Sequence, residues 1–179
     1  MIYQKTPLEG AWIIAPDPRR DTRGYFARTF CTEEFSARGL ESTVAQCNMS
    51  FSHVAGTLRG IHFQLEPCAE VKLVRVQQGS VWDVIVDLRR ASPTYSSWFG
   101  VELTSANLLS LYVPKGFGHG FVTLSNDTVV SYHVSAPYTP QLERGIRWDD
   151  ADVAISWPIQ PVVMSDKDRT LPTLREIQA

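Results

Sequence analysis

The sequence predicts an all-β domain built as an antiparallel sandwich or barrel, and three observations lead there. Short runs rich in Val, Ile, Leu and aromatic residues recur between Gly, Pro, Asn and Asp punctuation, a spacing that suits turn-linked strands rather than βαβ units. The run SVWDVIVDL alternates cleanly, with Trp82, Val84, Val86 and Leu88 on one face and Asp83 and Asp87 on the other, which is the period of a strand. Helix signals are few.

In chain order, strands are expected over 12–15, 57–63, 71–77, 80–88, 97–104, 110–113, 120–123 and 128–134. The one internal helix is expected at 32–38 (TEEFSAR), opening on Thr32 as N-cap and stopping before Gly39. Gln78-Gly79, between two apolar runs, reads as a hairpin turn with Gly79 at positive φ. The tail at 171–178 has room for a further turn or two of helix. No repeat, low-complexity tract or linker interrupts this series, so residues 1–179 are expected to form a single domain.

Composition narrows the function classes. Seventeen Lys plus Arg against 19 Asp plus Glu give a net charge of −2, which offers no bulk attraction to nucleic acid or to an anionic membrane surface. No run approaches the ~18 apolar residues of a membrane helix, and no basic n-region precedes an apolar stretch, so a cytoplasmic location is expected. Cys31, Cys47 and Cys68 are an odd number without CxxC spacing and read as free thiols.

Two polar residues interrupt faces that should be apolar. Lys72 alternates with Val74 and Val76, and Tyr132 alternates with Thr128, Val130 and Val134. A charge or hydroxyl pointing into a barrel needs partners; the plain alternatives are a snorkelling Lys and a Tyr bonded to backbone. Two histidines sit in well-defined segments, His62 in Arg59-Gly60-Ile61-His62-Phe63-Gln64 and His119 in Pro114-Lys115-Gly116-Phe117-Gly118-His119-Gly120. Together these side chains suit metal-free acid–base chemistry. Neutral His accepts a proton near physiological pH, a carboxylate on its other nitrogen fixes the tautomer, Tyr donates from another side, and Lys holds developing oxyanion charge.

The His119 segment resembles the second cupin motif, a Pro-x-Gly-x-x-His turn entering a strand, and the His62 segment stands where the first motif belongs. A metal-binding cupin offers His-x-His with a nearby Glu there; this chain offers His62-Phe63-Gln64, with Glu66 and Glu70 further on. Further segments complete an ordered set: Asp21-x-Arg23-Gly24-x-Phe26, Gln46-x-Asn48, Lys72-Leu73-Val74-Arg75-Val76, Asp87-Leu88-Arg89, Ser92-Pro93-Thr94-Tyr95 and Ser165-x-Lys167-Asp168. From about Gly10 to Pro172 the chain resembles the dTDP-4-dehydrorhamnose 3,5-epimerases, sugar-nucleotide epimerases of the cupin class.

The resemblance implies a cupin-type jelly-roll fold with a few short helices, and an isomerase that needs no metal or organic cofactor. It implies His62 as base, Asp168 as its dyad partner, Tyr132 as acid on the other face of the sugar, and Lys72 with His119 against the keto group. Arg23, Arg59 and Lys167 become phosphate or sugar contacts, Gln46, Asn48 and Glu143 further ligands, and Tyr138 the ring that stacks on the base. A homodimer is implied, with Arg23 and Phe26 reaching into the partner's pocket. One departure stands out. Where the family usually has Arg-Gly-x-Phe-x-Glu, this chain ends the segment in Arg28, a ligand-contact position with reversed charge.

The expected reaction is epimerisation at C3, C5 or both of a nucleotide-linked 4-keto-6-deoxy sugar, by way of an enolate. Three alternatives stay open: a single-site or GDP/CDP-sugar epimerase, a metal-dependent cupin oxygenase or isomerase, and a non-catalytic sugar-nucleotide-binding module.

Overall fold

In the computed structural model, which describes residues 1–177, the apolar runs become strands of two facing antiparallel sheets. In chain order the strands are β1 (Ile2–Lys5), β2 (Trp12–Ala15), β3 (Arg19–Asp21), β4 (Gly24–Phe26), β5 (Gln46–Ser52), β6 (Leu58–Gln64) and β7 (Lys72–Gln78). They continue as β8 (Ser80–Asp87), β9 (Trp98–Thr104), β10 (Ser110–Val113), β11 (Phe117–Thr123), β12 (Thr128–Val134) and β13 (Glu143–Gly145). Helix α1 (Thr32–Ser36) follows β4, α2 (Asp166–Arg169) lies near the C-terminus, and a 3₁₀ turn covers Pro140–Leu142. The larger sheet runs β1-β2-β10-β7-β12-β5 and the smaller β13-β6-β11-β8-β9, while β3 and β4 form a separate ribbon.

The apolar alternation explains the layering. Val74, Val76, Leu111, Val113 and Val130 from the larger sheet meet Val81, Ile85, Leu103, Phe117 and Phe121 from the smaller one. The outer face of the larger sheet is covered by α1, whose Phe35 packs on Ile14, Leu73 and Tyr112. Phe35 is 1% exposed, and burying a side chain of that size contributes about 2–3 kcal/mol. The smaller sheet buries Ile61 and Val86 under Ile146, Val153 and Leu174 from the C-terminal segment. Both faces of each sheet carry apolar cover, so the interior between the sheets is free to hold a polar cavity.

All eight expected strands are present, with ends shifted by a residue or so except for β11, which begins at Phe117 rather than 120. Five strands were not legible: the short β1, β3, β4 and β13 and the seven-residue β5 carry mixed or charged residues and little Val or Ile. Three local expectations need correction. Cys31, not Thr32, is the N-cap of α1, and no side chain caps it. Gly79 does adopt φ 78°, but β7 and β8 lie in different sheets, so Gln78-Gly79 is a corner between sheets and not a hairpin. The C-terminal helix sits at Asp166–Arg169, ahead of the expected 171–178 stretch; residues 174–177 form a turn and Gln178 lies outside the described residues.

One close approach sets the pairing of β6 with β11. A Cβ on Gly60 would fall 2.5 Å from Gly120 Cα and 2.8 Å from His119 O, and Gly60 sits at φ +120°. Only glycine fits such contact and such backbone. Because β6 and β11 can approach this closely, His62 and His119 stand directly opposite each other in register.

Candidate active site

The two sheets enclose a cavity of about 480 Å³ lined by His62, Lys72, His119 and Tyr132 together with Ser50, Arg59, Lys167 and Asp168. A second lobe of about 400 Å³ adjoins it, lined by Gln46, Asn48, Gln64, Glu70, Tyr138 and Glu143, and it shares His62, Lys72 and Tyr132 with the first. Both volumes lie in the range of small-molecule sites. The shared wall is where the chemistry concentrates.

His62, on β6, places Nε2 at 2.6 Å from Asp168 Oδ1. Asp168 reaches it from α2, whose first turn is fixed by Ser165: its Oγ accepts the Asp168 N–H at 3.1 Å, a side-chain N-cap. Asp168 is 4% exposed. Burial works to raise its carboxyl, but the His62 hydrogen bond and charge, aided by Ser165 and the Gly60 N–H, outweigh burial and hold it below the usual carboxylate range. An ionised Asp168 accepts from Nε2–H, which leaves Nδ1 as the ring nitrogen able to take a proton.

Tyr132 approaches from the opposite sheet. On β12 it pairs with Asn48 of β5 and Val74 of β7. Burial pushes its hydroxyl above the ordinary tyrosine value; Arg59 opposes that rise, and the Glu70 and Glu143 carboxylates reinforce it. The phenol is thus kept in the protonated state a proton donor requires.

Lys72 Nζ lies 3.3 Å from Glu70 Oε1 and donates to His62 O at 3.3 Å. His119 Nε2 sits 3.0 and 3.1 Å from the two oxygens of Asp83. Asp83 is fully buried, so the carboxylate-bearing face of β8, set apart from Trp82 and Val84 by alternation, is the interior face.

At the outer rim of the second lobe, Lys167 Nζ is 2.6 Å from Glu143 Oε1, and the Tyr138 hydroxyl donates to Glu143 Oε2 at 2.7 Å. For Glu143 too, burial is outweighed, here by the hydrogen bonds of Lys167 and then Tyr138, and the carboxyl is held low. Tyr138 is 55% exposed, and its backbone N–H donates to Gln46 Oε1 at 2.9 Å. Arg59 donates to Phe51 O at 3.0 Å and to Ser52 Oγ at 3.3 Å.

Eleven of the fourteen site residues expected from sequence therefore border these two lobes, which decides in favour of one site rather than scattered polar residues. The other three, Arg23, Phe26 and Arg28, do not reach the cavity of their own chain. Arg23 bonds to Asp21, Phe26 is 74% exposed on the β3–β4 ribbon, and Arg28 lies 3.6 Å from Glu34 beside α1. Sequence reasoning missed Ser50, Glu70 and Asp83 as site residues. Ser50 Oγ is buried without a hydrogen-bond partner among the described residues and borders the first lobe. Among the described residues, no three His, Cys, Asp or Glu side chains gather as a group able to hold a metal ion.

Comparison with known proteins gives a consistent picture. Residues 5–176 match the family described as dTDP-4-dehydrorhamnose 3,5-epimerase. A protein of that name from Methanothermobacter thermautotrophicus is 46% identical over 177 residues, covering 97% of this chain and 95% of that protein. The crystal structure of the Elizabethkingia anophelis dTDP-4-dehydrorhamnose 3,5-epimerase superposes with TM-score 0.95 at 40% identity, over 98% of this chain and 97% of the other. The Bacillus anthracis epimerase, crystallised with TDP and PPi bound, gives TM-score 0.93 at 41% identity over 96% and 98%.

Proposed function

The chain belongs to the dTDP-4-dehydrorhamnose 3,5-epimerase family, and from that premise we propose how its own residues carry out the reaction. The enzyme is an isomerase with a cupin-type β fold that epimerises a dTDP-linked 4-keto-6-deoxy sugar at C3 and C5. The C4 ketone acidifies the hydrogens on both neighbouring carbons. His62 Nδ1 removes one of them, and Asp168 stabilises the imidazolium that results. The electron pair moves onto the C4 oxygen as an enolate, facing Lys72 Nζ and His119. Tyr132 then delivers a proton to the opposite face of the planar carbon, which inverts the centre; Tyr132 recovers its proton from solvent and the His62 imidazolium returns its own to solvent.

One observation carries this assignment: the base, held by a carboxylate from α2, stands on β6 of one sheet, and the buried phenol stands on β12 of the other, around one shared cavity. Inversion requires access to both faces of a planar intermediate, and two opposed sheets supply it. A binding module has no use for that opposition.

The phosphates fall to Arg59 and Lys167 and the base to Tyr138, with Gln46, Asn48, Glu143 and Ser50 as further polar contacts. A homodimer completes the site. The β3–β4 ribbon is exposed along both strands, and an isolated two-stranded ribbon is only marginally stable alone, so a second copy gives Phe26 and Arg23 a surface to bury against.

The test is incubation with dTDP-4-keto-6-deoxyglucose in deuterated water, following C3 and C5 by NMR. Deuterium at both carbons in the wild type, and at neither in His62→Ala, is the expected result. Deuterium at one carbon only would establish the single-site reading. No exchange, with turnover of a GDP- or CDP-linked keto sugar instead, would point to Arg28 as the residue that changed nucleotide preference. Metal analysis of the active protein separates the metal-dependent class.

A further inference from the structure

Glu70 stands in the cavity wall without a part in the reaction as derived above. It lies two residues before β7, and its side chain is 7% exposed. A buried carboxylate is costly unless paired and hydrogen-bonded, and its two oxygens answer to two different partners. Oε1 lies 3.3 Å from Lys72 Nζ. Oε2 accepts from Gln64 Nε2. The second hydrogen on that nitrogen points to Cys68 O at 2.9 Å, with Pro137 O 3.3 Å away, and Gln64 Oε1 accepts the Thr139 N–H at 2.6 Å.

Lysine carries three donors. Glu70 and His62 O take two of those on Lys72, which leaves the third for a ligand where the two lobes meet. The lysine side chain is 12% exposed, too buried for water to supply its counter-charge in full. The other carboxylate of that lobe, Glu143, is already engaged by Lys167 and Tyr138.

We propose that Glu70 is a positioning residue for the epimerisation: it holds the Lys72 ammonium toward the reacting ketone and ties it, through Gln64, to the segment carrying Tyr138. This rests on the cavity being the epimerase site. The ion pair keeps Lys72 from swinging toward another anion before substrate binds. When the enolate forms, the ammonium is already aimed, so its electrostatic help needs no reorganisation at the moment of reaction. Gln64 links that aim to the wall against which the nucleotide base would stack.

The test uses the full chain, dTDP-4-keto-6-deoxyglucose and deuterium uptake at C3 and C5, comparing wild type with Glu70→Gln, Lys72→Met and the double variant. Glu70→Gln keeps the shape and loses the charge. Its kcat is expected to fall about 10- to 100-fold, as for loss of an outer partner that orients a reacting group, while KM stays within about threefold. In the Lys72→Met background the same change is expected to cost less than about twofold, because both act through one ammonium. Glu70→Asp, which restores the charge, recovers part of the loss and serves as the main variant if Glu70→Gln does not fold.

A Glu70→Gln enzyme with wild-type kcat, a loss confined to KM, or an undiminished loss in the Lys72→Met background each overturns the role of Glu70. Lack of exchange in the wild type overturns the reading of the cavity, and the Glu70 role with it. Wild-type exchange beside an unaffected Glu70→Gln overturns the latter alone.

Discussion

Replacing Asp168 by Asn tests the proton-abstraction scheme at its most specific point. The change keeps the size of the side chain but removes its charge and half of its accepting capacity. In the native arrangement Asp168 Oδ1 lies 2.6 Å from His62 Nε2 and accepts its hydrogen, so Nδ1 is the basic nitrogen. An Asn amide presents N–H donors to that position as readily as its oxygen, and a donor there turns the imidazole to the tautomer with hydrogen on Nδ1. The base is then blocked. Even in the correct tautomer, the imidazolium formed on proton removal lacks its counter-charge. Two unit charges with centres about 4 Å apart interact by about 4 kcal/mol at the effective dielectric of a protein site. That corresponds to a rate loss of about 10³. The assay is the initial rate of deuterium entry at C3 and C5 by NMR, with KM and melting temperature measured on the same preparation. The expected outcome is kcat lower by about 10³ with KM little changed. A folded Asp168→Asn enzyme within about tenfold of wild-type kcat would refute both the tautomer argument and His62 as the base.

Other consequences follow from the same geometry. Tyr132→Phe removes the opposite-face donor, so inversion is expected to slow by about 10²–10⁴ while deuterium still enters the unreacted substrate, visible as exchange without a change in ring coupling constants. Gly60→Ala places a methyl 2.5 Å from Gly120 Cα at φ +120° and is expected to cost about 2–4 kcal/mol in denaturant unfolding. Asp87 is fully buried; burial works to raise its carboxyl, but hydrogen bonds from Arg89, Ser92 and Thr94 prevail and lower it to about 2. A depressed carboxyl contributes stability that is present above its unfolded value and is lost as pH falls. Wild type should therefore lose about 2 kcal/mol relative to Asp87→Asn between about pH 4 and pH 2, read from unfolding midpoints. His53, whose side chain is 82% exposed beside Asp127 and edge-on to the Phe51 ring, is expected to tolerate Ala within about 0.5 kcal/mol and without effect on turnover.

The sequence made the site legible where a polar residue broke an apolar alternation. Lys72 among Val74 and Val76, and Tyr132 among Val130 and Val134, were visible as intrusions because strand period fixes which face a residue takes. The same rule should have drawn attention to Asp83. Alternation separates it correctly from Trp82 and Val84, yet hydrophobic Val and Trp invite the assumption that theirs is the buried face. In this fold both faces of the smaller sheet are covered, one by the opposing sheet and one by the C-terminal segment, so apolar character no longer marks the inside. Glu70 and Ser50 gave no signal, since a carboxylate before a strand and a serine on an edge strand are ordinary surface features. Asp168 was accessible only through the family resemblance. Its contact with His62 spans 106 residues, and nothing local in Ser165-x-Lys167-Asp168 points to β6. The edge strand β5 was missed for a related reason: QCNMSFS has the alternation of a strand lining a polar cavity, not of one packed in a core.

Two histidine–carboxylate pairs face each other across the β6–β11 pairing, and the contrast between them supports the proposal of His62, rather than His119, as base. His119 and Asp83 come from adjacent strands of the same sheet, paired within a rigid ladder, and the His119 side chain is 9% exposed. That arrangement holds a donor still, which suits the static task of meeting oxyanion charge. The carboxylate of His62 instead arrives from α2, outside both sheets. The His62 side chain is 27% exposed and borders both lobes. A base that serves two ring carbons in succession must meet each as the sugar shifts, so it belongs at the junction of the lobes rather than at the end of one. In the proposed scheme, nearly identical pairs thus acquire different duties from placement alone: the one locked within its sheet stabilises charge, and the one at the shared wall moves protons.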